Sequence, residues 1–372
     1  MLSRILFICP GPTFKPHDSS LLQHYEKLSN HFKGYIFTTS PEAEEFQIAN
    51  FNFLSMKFDR GFQSFFRFRC FCRQHAEKIL KNNERFDLVS TYDPLKTGLI
   101  GAGIAKMHET KFVPEVNGVY TSPAEWVDNP YKLATQVKKR IYPLIMYYVL
   151  KQAHGARLLF KEQIAPFKAI MQNKVIVDFR RFVDTEKFQP IRENKEVLFV
   201  GFPFKRKGVD VLILAFKQIA PKYPEWKLKI LGWFFNPDEL YNAIGGHDQI
   251  FHQPPVHHDE MSEHIGSCGI LVLPSRSEAM GRVLLEAMAA GKPRIGSSVD
   301  GIPTVINDGV DGLLCEPGNI DDLARKLDML MADQKLRKKL GDAGRLRAQG
   351  EFTEYVYLKN LVGFYHTVLA ST

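Results

Sequence analysis

Short apolar runs alternate with longer amphipathic stretches along the whole chain. In the first half the runs are RILFIC, KGYIFTT, FDLVST and KFVPEV. Apolar segments of this length with β-branched and aromatic side chains predict buried strands, and the amphipathic stretches between them predict helices. That rhythm is expected of β-α-β units and a parallel sheet. It restarts with EVLFVG, continues through LKILGW and CGILVLPS, and ends in PRIGSS and DGLLCEP. The pattern therefore predicts an α/β protein with two Rossmann-like, doubly wound domains.

Between the two sets of strands, VIVDFRRFVDTEKFQPIRENKE holds one last strand and then a polar, charged stretch with Pro190 and no apolar periodicity. The linker is expected near Asp178 to Lys195. Residues 1–180 then form a first domain and 181–351 a second. Residues 352–372, with Phe352, Tyr355, Tyr357, Phe364 and Tyr365 at near-helical spacing, read as a closing helix that packs back toward the first domain. No internal repeat or low-complexity segment suggests a solenoid or a linker-rich scaffold.

Composition narrows this picture. The 372 residues are 45% hydrophobic and 24% charged, which excludes global disorder and exceeds what one hydrophobic core usually spans. Five scattered cysteines without a C-x-x-C pair fit neither a disulfide framework nor a zinc site, and point to a reducing cytoplasm. The start, MLSRILFICPGP, is too brief for a signal peptide and reads as a first strand. Ile141 to Leu150, the longest apolar stretch, is half of the roughly 20 residues needed to span a bilayer. The net charge of +8 is one-sided. Residues 1–180 hold 25 Lys and Arg against 16 Asp and Glu, whereas the remainder holds 24 against 25. A basic first half suggests an anionic partner, such as a phosphate-bearing substrate or a lipid headgroup surface.

The stretch with most chemistry is PSRSEAMGRVLLEAMAAGKPRIGSSVDGIP, Pro274 to Pro303. An apolar strand ends at Pro274, Gly281 permits a tight entry, and Val283 to Ala290 form a helix closed by Gly291. Glu278 precedes that helix and Glu286 lies within it. A helix N-terminus opening onto a strand-end crevice makes an anion site, here with the backbone amides of Met280, Gly281 and Arg282. Taken alone, Glu286 could be a surface residue and Glu278 a cap. In context the stretch resembles the E-x7-E signature of the retaining, family 4 type glycosyltransferases with the GT-B fold. Glu278 and Glu286 stand at its two acidic positions, followed by the Ala-Met-Ala-Ala-Gly-Lys-Pro and Gly-Ile-Pro that accompany it.

Further segments are similar to the same family. GFPFKRKGVDVLILAF, Gly201 to Phe216, resembles its strand, loop and helix, in which basic side chains hold the donor's diphosphate. RFVDTEKFQP resembles the entry to the second domain, and NDGVDGLLCEPGN the turn and strand that close it. The resemblance implies two Rossmann-like domains facing across a cleft. It implies a nucleotide-sugar donor held mainly by the second domain and a glycan or glycolipid acceptor held by the first. Lys207 and Arg206 are then expected to stabilise the departing diphosphate, where Arg or Lys in a closed cleft meets charge that grows in the transition state. Glu278 would orient the sugar and leaving phosphate, and Glu286 would bind the ribose hydroxyls. The chain departs from the family at Gly201-Phe202, where many members have Gly-Arg, so the second cation must be Lys205 or Arg206. It departs also at Pro10-Gly11-Pro12, where paired glycines around Gly11 would contact the donor. On the acceptor side, Asn117 stands where several members have histidine.

No two aspartates stand two apart, so the Asp-x-Asp that holds a divalent ion in the other major glycosyltransferase fold is missing, and no metal or other cofactor is expected. His247, His252, His257, His258 and His264 cluster without a metal-ligand spacing. GLIGAGIAK lacks the third glycine of a dinucleotide fingerprint and reads as small residues letting a helix pack closely. RGFQSFFRFRCFCRQHAEKIL and KKRIYPLIMYYVLKQ mix cations with apolar side chains, as core helices and membrane-interface helices both do. No RNA-binding motif is present, and nucleic acid is not an expected partner. The expected function is a retaining transfer of sugar to an acceptor hydroxyl in surface-polysaccharide or lipopolysaccharide assembly, at the inner face of the cell membrane. A sugar-nucleotide epimerase or hydrolase, and a basic binding protein with a vestigial donor site, are the alternatives.

Overall fold

In the computed structural model the residues described are 2–9, 19–58, 63–128, 131–257 and 259–371. The chain divides into two compact units. One comprises Met1–Gly118, Val137–Phe179 and Leu358–Thr372, the other Val119–Gln136 and Arg180–Tyr357. Residues 119–136, read from sequence as part of the first domain, group with the second unit.

The first unit is built on β1 (Ser3–Ile8), β2 (Phe32–Ser40), β3 (Glu44–Ile48), β4 (Phe51–Lys57), β5 (Leu88–Thr91), β6 (Lys111–Val116), β7 (Gly155–Leu158) and β8 (Val175–Asp178). Their order in the sheet is β3-β4-β2-β1-β5-β6-β7-β8. All neighbours run parallel except β3 and β4. Helices α1 (Ser19–Leu28), α2 (Ser64–Lys81), α3 (Lys96–His108), α4 (Lys132–Gln152) and α5 (Lys168–Met171) lie in the connections. A central parallel strand is covered on both faces and so reads as an unbroken apolar run, as Ile5, Leu6 and Ile8 do. The edge pair escapes that rule. EEFQI and FNFLSMK bury alternate side chains, and this is why no apolar run announces them. In α3 the small residues do pack closely: a Cβ on Gly101 would lie 2.3 Å from Thr91 Cγ2, and one on Gly98 would lie 2.8 Å from Val149 Cγ1.

The second unit carries β9 (Glu196–Val200), β10 (Lys227–Leu231), β11 (Ile250–Gln253), β12 (Ile270–Leu273), β13 (Arg294–Ser297) and β14 (Leu313–Cys315). They form one parallel sheet in the order β11-β10-β9-β12-β13-β14. Its helices are α6 (Val209–Ile219), α7 (Pro237–Ile244), α8 (Met261–Ser267), α9 (Arg282–Ala289), α10 (Ile320–Ala332) and α11 (Gln334–Glu351). A charged residue sits inside this core. Arg294 of β13 is fully buried and donates to the Asp311 carbonyl at 2.6 Å and to Asp311 Oδ1 at 2.9 Å. Burial pulls its guanidinium down to about 10.

The last helix, α12 (Glu354–Ala370), contributes Leu361, Phe364, Tyr365 and Val368 to the core of the first unit. There the Tyr365 hydroxyl meets Ser90 Oγ at 2.9 Å.

The site is positioned by strand order. In the second sheet β9 is flanked by β10 on one side and β12 on the other. The connections leaving β9 and β12 therefore diverge to opposite sides, and a crevice opens outside their carboxyl ends.

Candidate functional site

Two loops line that crevice, one leaving β9 and one leaving β12. The first turns into α6 at Gly208, whose φ is 71° and whose Cβ would stand 2.0 Å from the Pro274 carbonyl oxygen. Only glycine allows this approach. Arg276 then joins the loops. Its amide donates to the Arg206 carbonyl at 2.7 Å, and its guanidinium reaches the Lys205 carbonyl at 2.5 Å. The same guanidinium holds Asp210 through both carboxylate oxygens, at 2.8 and 3.0 Å.

This zipped arrangement puts Lys207 directly on Glu278. Their side chains form an ion pair with exposures of 14% and 11%. Burial opposes the charge on Glu278. The Lys207 ammonium, the Arg206 guanidinium and the Gly281 amide overcome that, so the carboxyl titrates below its ordinary value. Gly281, with φ 75°, is the N-cap of α9, and a Cβ there would lie 2.8 Å from Leu273 Cδ2.

Arg206 lies beside this pair at 18% exposure. It donates to the Ser277 carbonyl at 3.4 Å and to the Phe202 carbonyl at 3.5 Å, and faces Glu125 Oε2 at 3.5 Å. Asp300 accepts from Ser277 Oγ at 2.8 Å and from the Glu278 amide at 3.0 Å. Asp128 accepts from the amides of Lys205 and Arg206 at 2.6 and 2.7 Å. Burial pushes the Glu125 carboxyl up; Arg206 pulls it down and the nearby Glu278 pushes it up again.

Glu286 sits in α9 with an 8% exposed side chain, paired with Arg282 Nε at 3.1 Å. Burial raises its carboxyl against the pull of Arg282 and Lys187. Of the residues singled out in the sequence, Arg206, Lys207, Glu278 and Gly281 are thus brought together. Lys205 is not. Its ammonium turns to Asp210 at 3.2 Å and Glu239 at 3.5 Å, because acidic side chains on α6 and α7 compete for it. The Gly281 amide, expected to be open to a ligand, is engaged by Glu278. Met280 is buried, whereas Arg282 exposes most of its side chain.

Gly201 keeps a positive φ of 152°, and a Cβ there would come within 3.8 Å of Lys207 Cε. Asn117, in the first unit, donates to the Tyr92 carbonyl at 2.7 Å and accepts from Arg157 at 2.9 Å. Gly11 lies outside the described residues, as does His258. Two of the other histidines serve separate local bonds: His252 Nε2 donates to the Gly232 carbonyl, and His264 meets Gln253. Among the described residues, no three His, Cys, Asp or Glu side chains come together as metal ligands.

Glu125, Asp128, Asp300 and Arg276 were not anticipated. Asp300 falls in the SSVDGIP that follows the glutamate motif, so proximity in sequence was an available signal. Glu125 and Asp128 lie in an aperiodic polar loop, TSPAEWVDNP, about 80 residues upstream of the loop they touch, with nothing local to mark them.

Comparison with known proteins places this geometry in a class. The structure superposes on HepE from Anabaena, solved with UDP and glucose, with a TM-score of 0.72 and 14% identity over 98% of this chain and 99% of that one. The fold is GT-B, the two-domain architecture of many glycosyltransferases. Residues 182–347 match the family described as Glycosyl transferases group 1. An uncharacterised glycosyltransferase from Haemophilus influenzae is 33% identical over 161 residues, 42% of this chain and 45% of its own length. The chain thus spans less than half of that relative. Another, from Methanocaldococcus jannaschii, is 29% identical over 288 residues, 73% of this chain and 74% of its own length.

Proposed function

We propose that this protein is a glycosyltransferase that moves a sugar from a nucleotide-diphosphate-sugar to an acceptor hydroxyl. One observation carries the proposal: two partly buried cations, Arg206 and Lys207, converge with Glu278 outside the carboxyl ends of β9 and β12. Fixed positive charge at a strand-end crevice suits a diphosphate, whose negative charge grows as the sugar departs. The amides at the start of α9 add donors of the same sign. In this reading Lys207 and Arg206 stabilise the leaving diphosphate, which lets the reaction proceed without a metal ion. Glu278, held ionised, orients Lys207 and accepts from sugar hydroxyls, and Glu286 accepts from the ribose. The acceptor hydroxyl attacks on the leaving-group face and passes its proton to the departing phosphate, with retention at the anomeric carbon. The group 1 family match and the nucleotide held by HepE support the donor class.

The acceptor side is proposed to be a glycan or glycolipid bound at the first unit, in surface-polysaccharide or lipopolysaccharide assembly. The cytoplasmic membrane face is its proposed place of work. Among the described residues no helix is long and apolar enough to cross a membrane. Peripheral contact is supported by α4, whose sequence carries five cations and no acid. Its Leu133, Ile141, Leu144, Tyr147 and Tyr148 are exposed, as is Phe66 of α2. Such helices lie at anionic headgroups with apolar side chains inserted.

The test is to incubate a panel of nucleotide-sugars with and without glycan and glycolipid acceptors and to follow both free sugar and glycosylated product. Acceptor-dependent product is expected. Release of sugar regardless of acceptor would identify a hydrolase instead.

A further inference from the structure

The loop that follows β9 is an anion site whose donors are already taken by the protein's own carboxylates. Consecutive amides of Lys205 and Arg206 point at the two oxygens of Asp128, at 2.6 and 2.7 Å. Glu125, one turn earlier in the same segment, faces the Arg206 guanidinium at 3.5 Å. Two adjacent amides and a guanidinium are the donors that a phosphate group takes from a loop of this kind. Among the described residues, Glu125, Asp128, Glu278 and Asp300 gather about Arg206 and Lys207, while the neighbouring Lys205 and Arg276 are matched by Asp210 and Glu239. With four carboxylates against two positive charges, the cluster is formally negative and repels a diphosphate. Without Glu125 and Asp128 it is neutral.

The carboxylates also differ in how they are held. Glu278 lies in the loop that follows β12 and Asp300 in the loop that follows β13, and the two are fixed to each other through Ser277 Oγ and the Glu278 amide, which donate to Asp300. Glu125 and Asp128 belong to residues 119–128, a segment with only the short turn Pro123–Trp126 as regular structure. Burial and the neighbouring carboxylates disfavour the charge on Glu125. The segment is therefore the part of the cluster that can leave at least cost.

We propose that residues 119–128 are an internal competitor for the anion loop: Asp128 and Glu125 occupy donors that a diphosphate-bearing ligand takes, and that ligand releases the segment on binding. The inference rests on the donor reading above and deepens it. The segment holds the site ordered, with the loop's donors satisfied from within the protein. Only a ligand with enough negative charge to displace two carboxylates opens it, which selects diphosphates over free sugars.

Calorimetry on the full chain with inorganic pyrophosphate tests this. A protein whose binding-competent form is fractionally populated binds more weakly by that fraction. The Glu125→Gln/Asp128→Asn variant is thus expected to bind pyrophosphate roughly tenfold more tightly than the wild type. Unchanged or weaker binding by the variant would overturn the competitor, while loss of binding in Lys207→Ala would leave the donor reading standing. Absence of pyrophosphate binding in both proteins would overturn both.

Hydrogen exchange on the wild type keeps the test open should the variant fold poorly. The amides of Ser122, Glu125 and Val127 are bonded within the segment. Pyrophosphate is expected to raise exchange across 119–128, and unchanged or slower exchange there counts against release.

Discussion

Lys207 and Glu278 carry the argument at the scale of the residue. Each is nearly buried and is the other's ion-pair partner, and a desolvated charge without a partner costs several kcal/mol. Lys207→Ala is expected to lower kcat/KM for sugar transfer by roughly 100-fold or more, the size seen when one fixed donor to a developing anion is lost. Steady-state kinetics with the donor identified by the panel checks this; a loss of only a few-fold removes Lys207 from the reaction. Glu286 has the opposite character. Burial raises its carboxyl, so the folded protein holds more protons than the unfolded one between the ordinary value of 4.5 and the higher folded value. Stability from this group therefore falls as pH rises through that window, and the full penalty is present at neutral pH. Glu286→Gln is expected to raise the thermal midpoint at pH 7, to flatten the dependence above pH 4.5, and to weaken nucleotide binding. Thermal scans from pH 4 to 8, with and without nucleotide, measure all three.

At the scale of the element, glycine positions separate close packing from mere flexibility. Along α3, Gly101 faces the sheet with no room for a Cβ, whereas Gly103 is exposed with nothing within 4 Å of its Cβ position. Gly101→Ala should cost about 1–3 kcal/mol by overpacking against Thr91 and Phe112. Gly103→Ala should add about 0.5–1 kcal/mol, because glycine in a helix interior is entropically unfavourable. Urea denaturation of the two variants is expected to give opposite signs, and equal signs would contradict the packing described for this helix.

For the whole molecule, the last fifteen residues matter more than their position suggests. Leu361, Phe364, Tyr365 and Val368 fill the core of the first unit although they follow the whole second unit in sequence. Burying four such side chains contributes on the order of 6–12 kcal/mol, which is the entire net stability of an ordinary domain. A chain shortened to residue 357 should lose hydrogen-exchange protection in β1, β2 and β5 while β9 and β10 keep theirs. Protection retained in β1 would refute the assignment. The sequence by itself determined the α/β class, the central strands and the helix from Val283 onward. Those depend on apolar periodicity and on glycine at Gly281 and Gly291, which act within a few residues. It also marked Lys207 and Glu278, because each stands in a local motif. Only the tertiary structure decided which basic residue joins them. Lys205 and Arg206 are adjacent and chemically alike, and acidic partners on α6 and α7 draw one away. The antiparallel pair β3 and β4, the grouping of residues 119–136 with the second unit and the carboxylates of Glu125 and Asp128 were likewise settled by contacts between separate segments. Such contacts leave no periodic trace in the chain, because they depend on which surfaces meet after the strands have paired.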